Sequence, residues 1–139
     1  MGTWTVQTYG NDYALDWAQD LQEAGNLEPI ESTLDYALGE GELEAPFGAE
    51  ALAAIDVLAR LQGNRGEIEA GAEAVTDAID RWVAQRKQKV SPALAGKALR
   101  ALERILGEHS ELRELWQDSE HYAEWRAAVL ALKARLAPV

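Results

Sequence analysis

Residues 91–106, SPALAGKALRALERIL, decide the fold class because they contain the start and the body of an amphipathic helix. Ser91 can accept a hydrogen bond from a free backbone N–H of the first turn, and Pro92 has a preset φ and no N–H to satisfy. Apolar residues then recur every three or four positions until Gly107: Leu94, Ala95, Ala98, Leu99, Leu102, Ile105 and Leu106. One apolar stripe of this kind predicts a helix that packs against a partner helix.

The partner is predicted immediately downstream. Ser110 is expected to cap a short helix and Ser119 a longer one, whose apolar positions again recur by threes and fours through Trp125 to Leu136. Short connections between helices favour antiparallel neighbours. Residues 91–136 are therefore predicted to form a C-terminal helical hairpin with a short helix at its corner.

The chain before this hairpin is predicted to form N-terminal helices over residues 11–88. Asn11 is expected to cap the first helix, with Gly25 closing it in a left-handed conformation, and Pro29 is expected to open the second. Residues 41–48 are expected to be a loop, because Pro46 lies among charged residues and glycines.

An alanine-rich helix over residues 49–61 is predicted to lie at the centre of the fold, since its small side chains let other helices approach closely. A loop over residues 62–72 and a helix over residues 74–88 follow. Residues 1–10, MGTWTVQTYG, are too short and too rich in β-formers for a helix and are expected to be an extended arm. The prediction is one domain, residues 1–139, folded as an all-α compact bundle of five to seven helices with an N-terminal arm.

Charge excludes several classes of function. The formal net charge is −11, from 24 acidic and 13 basic residues. Such a charge repels phosphate and anionic lipid, so neither nucleic acid nor membrane is an expected partner. There is no cysteine, and no apolar run or N-terminal signal pattern suggests a membrane span or a targeting segment, so a cytoplasmic location is expected.

Several motifs together resemble the bacterial domain-of-unknown-function family 4259. The likeness begins with Met1-Gly2-Thr3-Trp4 and with Asn11-Asp12 leading into Asp16-Trp17, and it continues in Leu43-Glu44-Ala45-Pro46, in residues 98–107 and in residues 110–116. Thr5 and Gln7 stand where the family pattern has glycines. The resemblance implies a helical fold and brings no activity.

The carboxylates of the predicted first helix suggest a metal site as one hypothesis. Asp12, Asp16 and Asp20 are spaced i, i+4, i+8 and therefore share one face, where like charges repel weakly. Ligands on one straight helix cannot surround an ion, and no known metal-binding spacing is present. A solvated face is the favoured interpretation. No metal, cofactor or catalytic residue is predicted, because the nucleophile and phosphate-loop motifs of enzymes are also missing from the sequence.

Aromatic and polar residues near the N-terminus form a candidate ligand site: Trp4, Tyr9, Asn11, Asp12, Asp16 and Trp17. They could line a pocket between the arm and the first helix. Aromatic residues at helical spacing more often pack in the core, and packing is the favoured interpretation here.

The leading functional prediction is a non-catalytic module that binds a basic protein partner through acidic surface near residues 28–50, with Glu40, Glu42 and Glu44 as candidate contacts. The alternative is a metal- or small-molecule-dependent enzyme with its site at the arm and first helix. The sequence leaves both a monomer and a homodimer open.

Overall fold

The computed structural model describes residues 5–66, 69–86 and 88–136, and within these ranges the chain forms seven α-helices. They are α1 (Asp12–Leu21), α2 (Glu28–Ala37), α3 (Ala45–Leu61), α4 (Glu73–Arg86), α5 (Pro92–Leu106), α6 (Glu111–Gln117) and α7 (Tyr122–Arg135). The all-α prediction is confirmed. No helix in these ranges has the length and apolarity needed to cross a bilayer.

Helix α3 lies at the centre and contacts each of the other six helices. From Gly48 to Arg60 every residue except Glu50 is buried. Alanines at positions 49, 51, 53, 54 and 59 allow this, because neighbouring helices can approach a small side chain on any face. The predicted central position of this helix is confirmed.

Three predicted N-caps are confirmed. Asn11 Oδ1 accepts the N–H of Ala14 at 2.9 Å at the start of α1. The hydroxyls of Ser91 and Ser110 accept N–H groups three residues on, at 3.1 and 3.3 Å, at the starts of α5 and α6. Each cap satisfies a backbone donor that the first helical turn leaves without a partner.

The predicted loop over residues 41–48 is wrong in its second half, since α3 begins at Ala45 with Pro46 in its first turn. Proline suits that position because it needs no donor there. The N–H of Ala45 donates to Glu111 Oε1 at 2.7 Å, so a glutamate from α6 helps to cap α3. This cap could not be predicted from the local sequence, because Glu111 lies 66 residues after Ala45.

The prediction that Gly25 closes α1 in a left-handed conformation is also wrong. Helix α1 ends at Leu21, and Gly25 is not among the described glycines with positive φ. Two carbonyls beyond the helix find tertiary partners: Ala24 accepts Trp82 Nε1 at 2.9 Å, and Gly25 accepts Arg86 Nη1 at 3.0 Å. These bonds to α4 satisfy carbonyls that a longer helix would have used internally.

Ser119 does not cap α7 as predicted. Its hydroxyl donates to the carbonyl of Trp116 at 2.8 Å and accepts the N–H of His121 at 3.1 Å. Ser119 thus closes the turn between α6 and α7, and α7 begins after His121 with no side-chain cap.

The loop after α2 is joined to the loop before α6 by a single parallel β-bridge between Leu43 and Ser110. The N–H of Leu43 donates to the carbonyl of His109 at 2.8 Å, and the N–H of Glu111 donates to the carbonyl of Leu43 at 2.9 Å. His109 has a φ of 63°, in the left-handed region that non-glycine residues seldom adopt. The bridge holds the acidic loop of residues 39–44 against the C-terminal part of the fold.

Candidate functional site

The three predicted partner contacts, Glu40, Glu42 and Glu44, are exposed and line one groove. We call it the acidic groove; it has a volume of about 350 Å³ and is also lined by Asp35, Tyr36, Phe47 and Arg104. It lies where the end of α2, the connecting loop and the first turn of α3 meet. The structure therefore places the predicted carboxylates together.

An aromatic pair stands at the edge of the acidic groove. The Tyr36 side chain is 65% exposed, and its ring centroid lies 4.4 Å from that of Phe47 at an angle of 39°. Tyr36 follows Asp35 on the solvent side of α2, while its neighbour Ala37 is buried. An aromatic face beside several carboxylates can attract a cation through the ring quadrupole as well as through charge.

Two cationic side chains border this surface. Lys97 Nζ lies 2.8 Å from carboxylate oxygens of both Glu31 and Asp35, which partly neutralises the α2 side of the acidic groove. Arg104 donates a hydrogen bond to the carbonyl of Gly41 and so braces the loop. None of the ion pairs between described residues involves Glu40, Glu42 or Glu44, and their charge is left facing solvent.

Of the candidate ligand residues near the N-terminus, Tyr9 and Asn11 are buried and use their polar atoms within the fold. Tyr9 is 3% exposed, and its hydroxyl donates to Asp56 Oδ2 of α3 at 2.6 Å. Asn11 caps α1. In the described part of the predicted arm, the N–H of Thr5 donates to the carbonyl of Gly10 at 3.0 Å and closes a turn.

The other candidates point elsewhere or lie outside the described residues. Trp17 Nε1 donates to Thr33 Oγ1 of α2 at 2.8 Å, away from the Tyr9–Asp56 contact with α3. Asp12 and Asp16 are exposed on α1, and Trp4 is not among the described residues. Where the chain is described, no group of three or more His, Cys, Asp or Glu side chains is placed to hold a metal ion.

Sequence reasoning missed a buried ionic network around Asp56. This carboxylate is 2% exposed and has three donors: the Tyr9 hydroxyl at 2.6 Å, Arg60 Nε at 2.8 Å and Arg135 Nη1 at 2.8 Å. Arg60 also reaches Asp80 of α4, with Nη1 at 2.9 Å from Oδ1. One buried carboxylate thus connects the N-terminal turn, α3 and the last turn of α7, and Arg60 extends the network to α4.

Burial and neighbouring charges change the protonation of this network. Burial, and then the negative charge of Asp56, raise the pKa of Tyr9 well above its ordinary value, so the phenol stays protonated as a donor. Burial lowers the pKa of Arg60, but Asp56 and Asp80 raise it by more, so the guanidinium stays charged. Burial also raises the pKa of Glu69, whose Oε1 accepts the N–H of Tyr9 at 3.1 Å.

One local signal could have revealed part of this network. Asp56 and Arg60 are the only ionisable residues in the stretch from Ala51 to Leu61, and their i, i+4 spacing allows an ion pair on one helix face. Two charges inside an otherwise apolar, central helix indicate a buried pair. Their partners Tyr9, Asp80 and Arg135 are distant in sequence and carry no such signal.

Comparison with known proteins shows the family of this chain. Neither a curated protein nor a solved structure gives a significant match. The family model described as Domain of unknown function (DUF4259) matches residues 2–128. Since that match covers most of the 139 residues, the chain belongs to this family.

Proposed function

We propose that this protein is a non-catalytic interaction module that binds a basic segment of a protein partner in the acidic groove. The observation that carries the proposal is Tyr36, a large aromatic side chain left 65% exposed beside four groove carboxylates. Surface tyrosines in such positions frequently supply much of the energy of protein interfaces.

The chemistry of the acidic groove suits a lysine or arginine side chain. The apolar stem of such a residue can lie on the Tyr36 ring while its charged end reaches Glu40, Glu42 or Glu44. The net charge of −11 adds long-range attraction for a basic segment and accelerates its approach. A basic protein is therefore a better match than an acidic or neutral one.

The backbone around the acidic groove is held in place before any partner arrives. Arg104 donates to the carbonyl of Gly41, and the bridge at Leu43 fixes the end of the loop. A preformed surface loses less conformational entropy on binding, which favours affinity. We place this interaction in the cytoplasm of a bacterium, in keeping with a cysteine-free acidic chain.

The proposal is tested with a short unstructured peptide of alternating lysine and serine, titrated into the protein by fluorescence anisotropy. Tyr36→Ala is expected to weaken binding about tenfold, a loss of roughly 1.4 kcal/mol. Replacing Glu40, Glu42 and Glu44 together by glutamine is expected to weaken it further and to reduce its salt dependence.

The matched control replaces three exposed glutamates outside the acidic groove, Glu23, Glu120 and Glu124, by glutamine. This variant has the same net charge as the groove variant, so it separates local recognition from general attraction. Equal losses in the two triple variants, together with an unchanged affinity for Tyr36→Ala, would refute a specific site in the acidic groove.

A further inference from the structure

A second concave site lies at the other end of α3. We call it the α7 cavity; it has a volume of about 660 Å³ and opens between residues 6–8, the second half of α3, Arg65, Gly66 and Glu69 beyond α3, and α7. Arg60 on its wall is 13 residues along α3 from Phe47 of the acidic groove, about 20 Å at the rise of an α-helix. The two sites are therefore separate, and their volumes differ nearly twofold.

One wall of the α7 cavity is apolar. Ala128, Ala131 and Leu132 lie on one stripe of α7, and Val6 faces the same space from the N-terminal turn. The two alanines leave room that larger side chains would fill. A volume of this size with a mainly apolar lining is typical of sites for small organic molecules.

One of the guanidinium groups at the α7 cavity has a nitrogen without a hydrogen-bond partner. Three guanidinium groups line it, and the oxygens of Asp56 are already used by Tyr9, Arg60 and Arg135. Arg135 Nη2 is buried and has no hydrogen-bond partner in the described structure. Arg65 binds Asp80 through Nη2 at 2.6 Å, yet its side chain is 64% exposed at the rim. Buried donors are normally satisfied, so Arg135 Nη2 is expected to take an acceptor from water or from a ligand in the cavity.

The balance of charge limits what that acceptor can be. Arg60, Arg65 and Arg135 formally balance Asp56, Glu69 and Asp80, within a chain of net charge −11. A polyanion such as a nucleotide would be repelled by the whole molecule. A cation would find the Asp56 oxygens already occupied by Tyr9, Arg60 and Arg135. Burial raises the pKa of Glu69, which makes it easier for this carboxyl to bind a proton when a second carboxylate approaches.

We propose that the α7 cavity binds a small organic monoanion, a carboxylic acid with an apolar body. The carboxylate lies against Arg65 and Arg135, where guanidinium groups offer paired donors to two oxygens. The apolar body lies along Ala131 and Leu132 of α7. This site is independent of the acidic groove, and neither proposal requires the other.

The charge that the cavity prefers in its ligand is tested with three probes that share an apolar chain and differ in head group: hexanoate, hexanamide and hexylammonium. Each is titrated by calorimetry at constant ionic strength. The cavity geometry predicts saturable binding of hexanoate, with hexanamide weaker and hexylammonium weakest. The net charge of −11 predicts the reverse order. Preferential binding of hexylammonium, or no saturable binding of hexanoate and of benzoate, would overturn the proposal.

Two α7 variants locate the binding. Ala131→Trp fills the α7 cavity and is expected to abolish hexanoate binding, whereas Ala127→Trp adds the same side chain at an exposed position outside the lining and is expected to leave it unchanged. Arg65→Gln is expected to weaken hexanoate about three- to tenfold without loss of folding, because this residue is exposed. Equal hexanoate affinity in the two tryptophan variants contradicts the assignment of the cavity.

Discussion

Arg135 Nη1 lies 2.8 Å from Asp56 Oδ1, which ties the last turn of α7 to the middle of α3 through a carboxylate that is almost inaccessible to water. Charges removed from water are expensive unless they are paired and hydrogen-bonded, and Asp56 meets this condition with three donors. The network is therefore expected to affect the free energy of unfolding most strongly when one of its partners is removed.

Replacing Asp56 by alanine is expected to lower the free energy of unfolding by roughly 3–5 kcal/mol, because it leaves Arg135 without its carboxylate and Arg60 with only Asp80. Urea denaturation measures the change. Asp16→Ala, which removes an exposed carboxylate from α1, is the control and is expected to change stability by no more than about 0.5 kcal/mol. A loss below about 1 kcal/mol for Asp56→Ala would show that the network contributes little.

Tyr9→Phe removes one of the three donors to Asp56 and keeps the packing of the ring. We expect a loss of roughly 1–2 kcal/mol, since the hydrogen bond is buried and its acceptor is charged. Tyr36→Phe makes the same chemical change on an exposed ring and is expected to leave the urea midpoint unchanged. The prediction fails if the two variants behave alike.

Stability should depend on pH through Glu69. Its pKa is raised in the folded chain by burial, and by repulsion from Asp56, against the attraction of Arg60 and Arg135 and the hydrogen bond from the N–H of Tyr9. A raised carboxyl pKa means that the folded state binds the proton more tightly than the unfolded chain does. Ionisation of Glu69 therefore costs stability above its folded pKa, and this cost disappears as the pH falls to the ordinary value of 4.5.

Glu69→Gln keeps an acceptor for Tyr9 and removes the titration. The stability of this variant relative to the unmodified protein is expected to increase between pH 4 and pH 7, measured by thermal unfolding across the range. Glu120→Gln at an exposed site corrects for the general effect of losing one negative charge. A relative stability that falls over this interval has the wrong sign and rejects the assignment.

Two glycine-to-alanine substitutions are predicted to act in opposite directions. A Cβ on Gly66 would lie 2.7 Å from Arg135 Nη1 and would displace a guanidinium held by Asp56 and by the carbonyl of Asn64, at a cost of about 1–3 kcal/mol. Gly96 lies inside α5, where its Cβ would meet only the end of the Arg100 side chain at 3.4 Å. Gly96→Ala is expected to stabilise by about 0.5–1 kcal/mol. Denaturant unfolding measures both changes: the midpoint of Gly66→Ala is expected below that of the unmodified protein, and the midpoint of Gly96→Ala above it.

Local signals predicted the helices well where the stabilising contact is itself local. Asn11, Ser91 and Ser110 cap helices as expected because an N-cap needs only a backbone N–H three residues away. The errors arise where a distant partner decides the conformation. Glu111 helps α3 to begin at Ala45, and Trp82 satisfies a carbonyl beyond the end of α1.

The two sites also differ in how far they could be predicted from local sequence. The acidic groove was predictable because Glu40, Glu42 and Glu44 are close in sequence and belong to a short loop. The α7 cavity was not, since Val6, Arg60 and Arg135 meet only through the tertiary fold. The pocket predicted around Tyr9 and Trp17 stays a prediction, although both side chains now have hydrogen-bond partners in different helices.

The bridge between Leu43 and Ser110, and the cap that Glu111 provides for α3, join residues on either side of the connection between α4 and α5, so dividing the chain there would remove contacts from both parts. A fragment ending before residue 91 would lose the backbone partners of the acidic loop and the cap of its own central helix. Such fragments would have to recombine to restore the groove. The acidic groove is thus a property of the intact chain, and a proteolytic cut between α4 and α5 is expected to disrupt it.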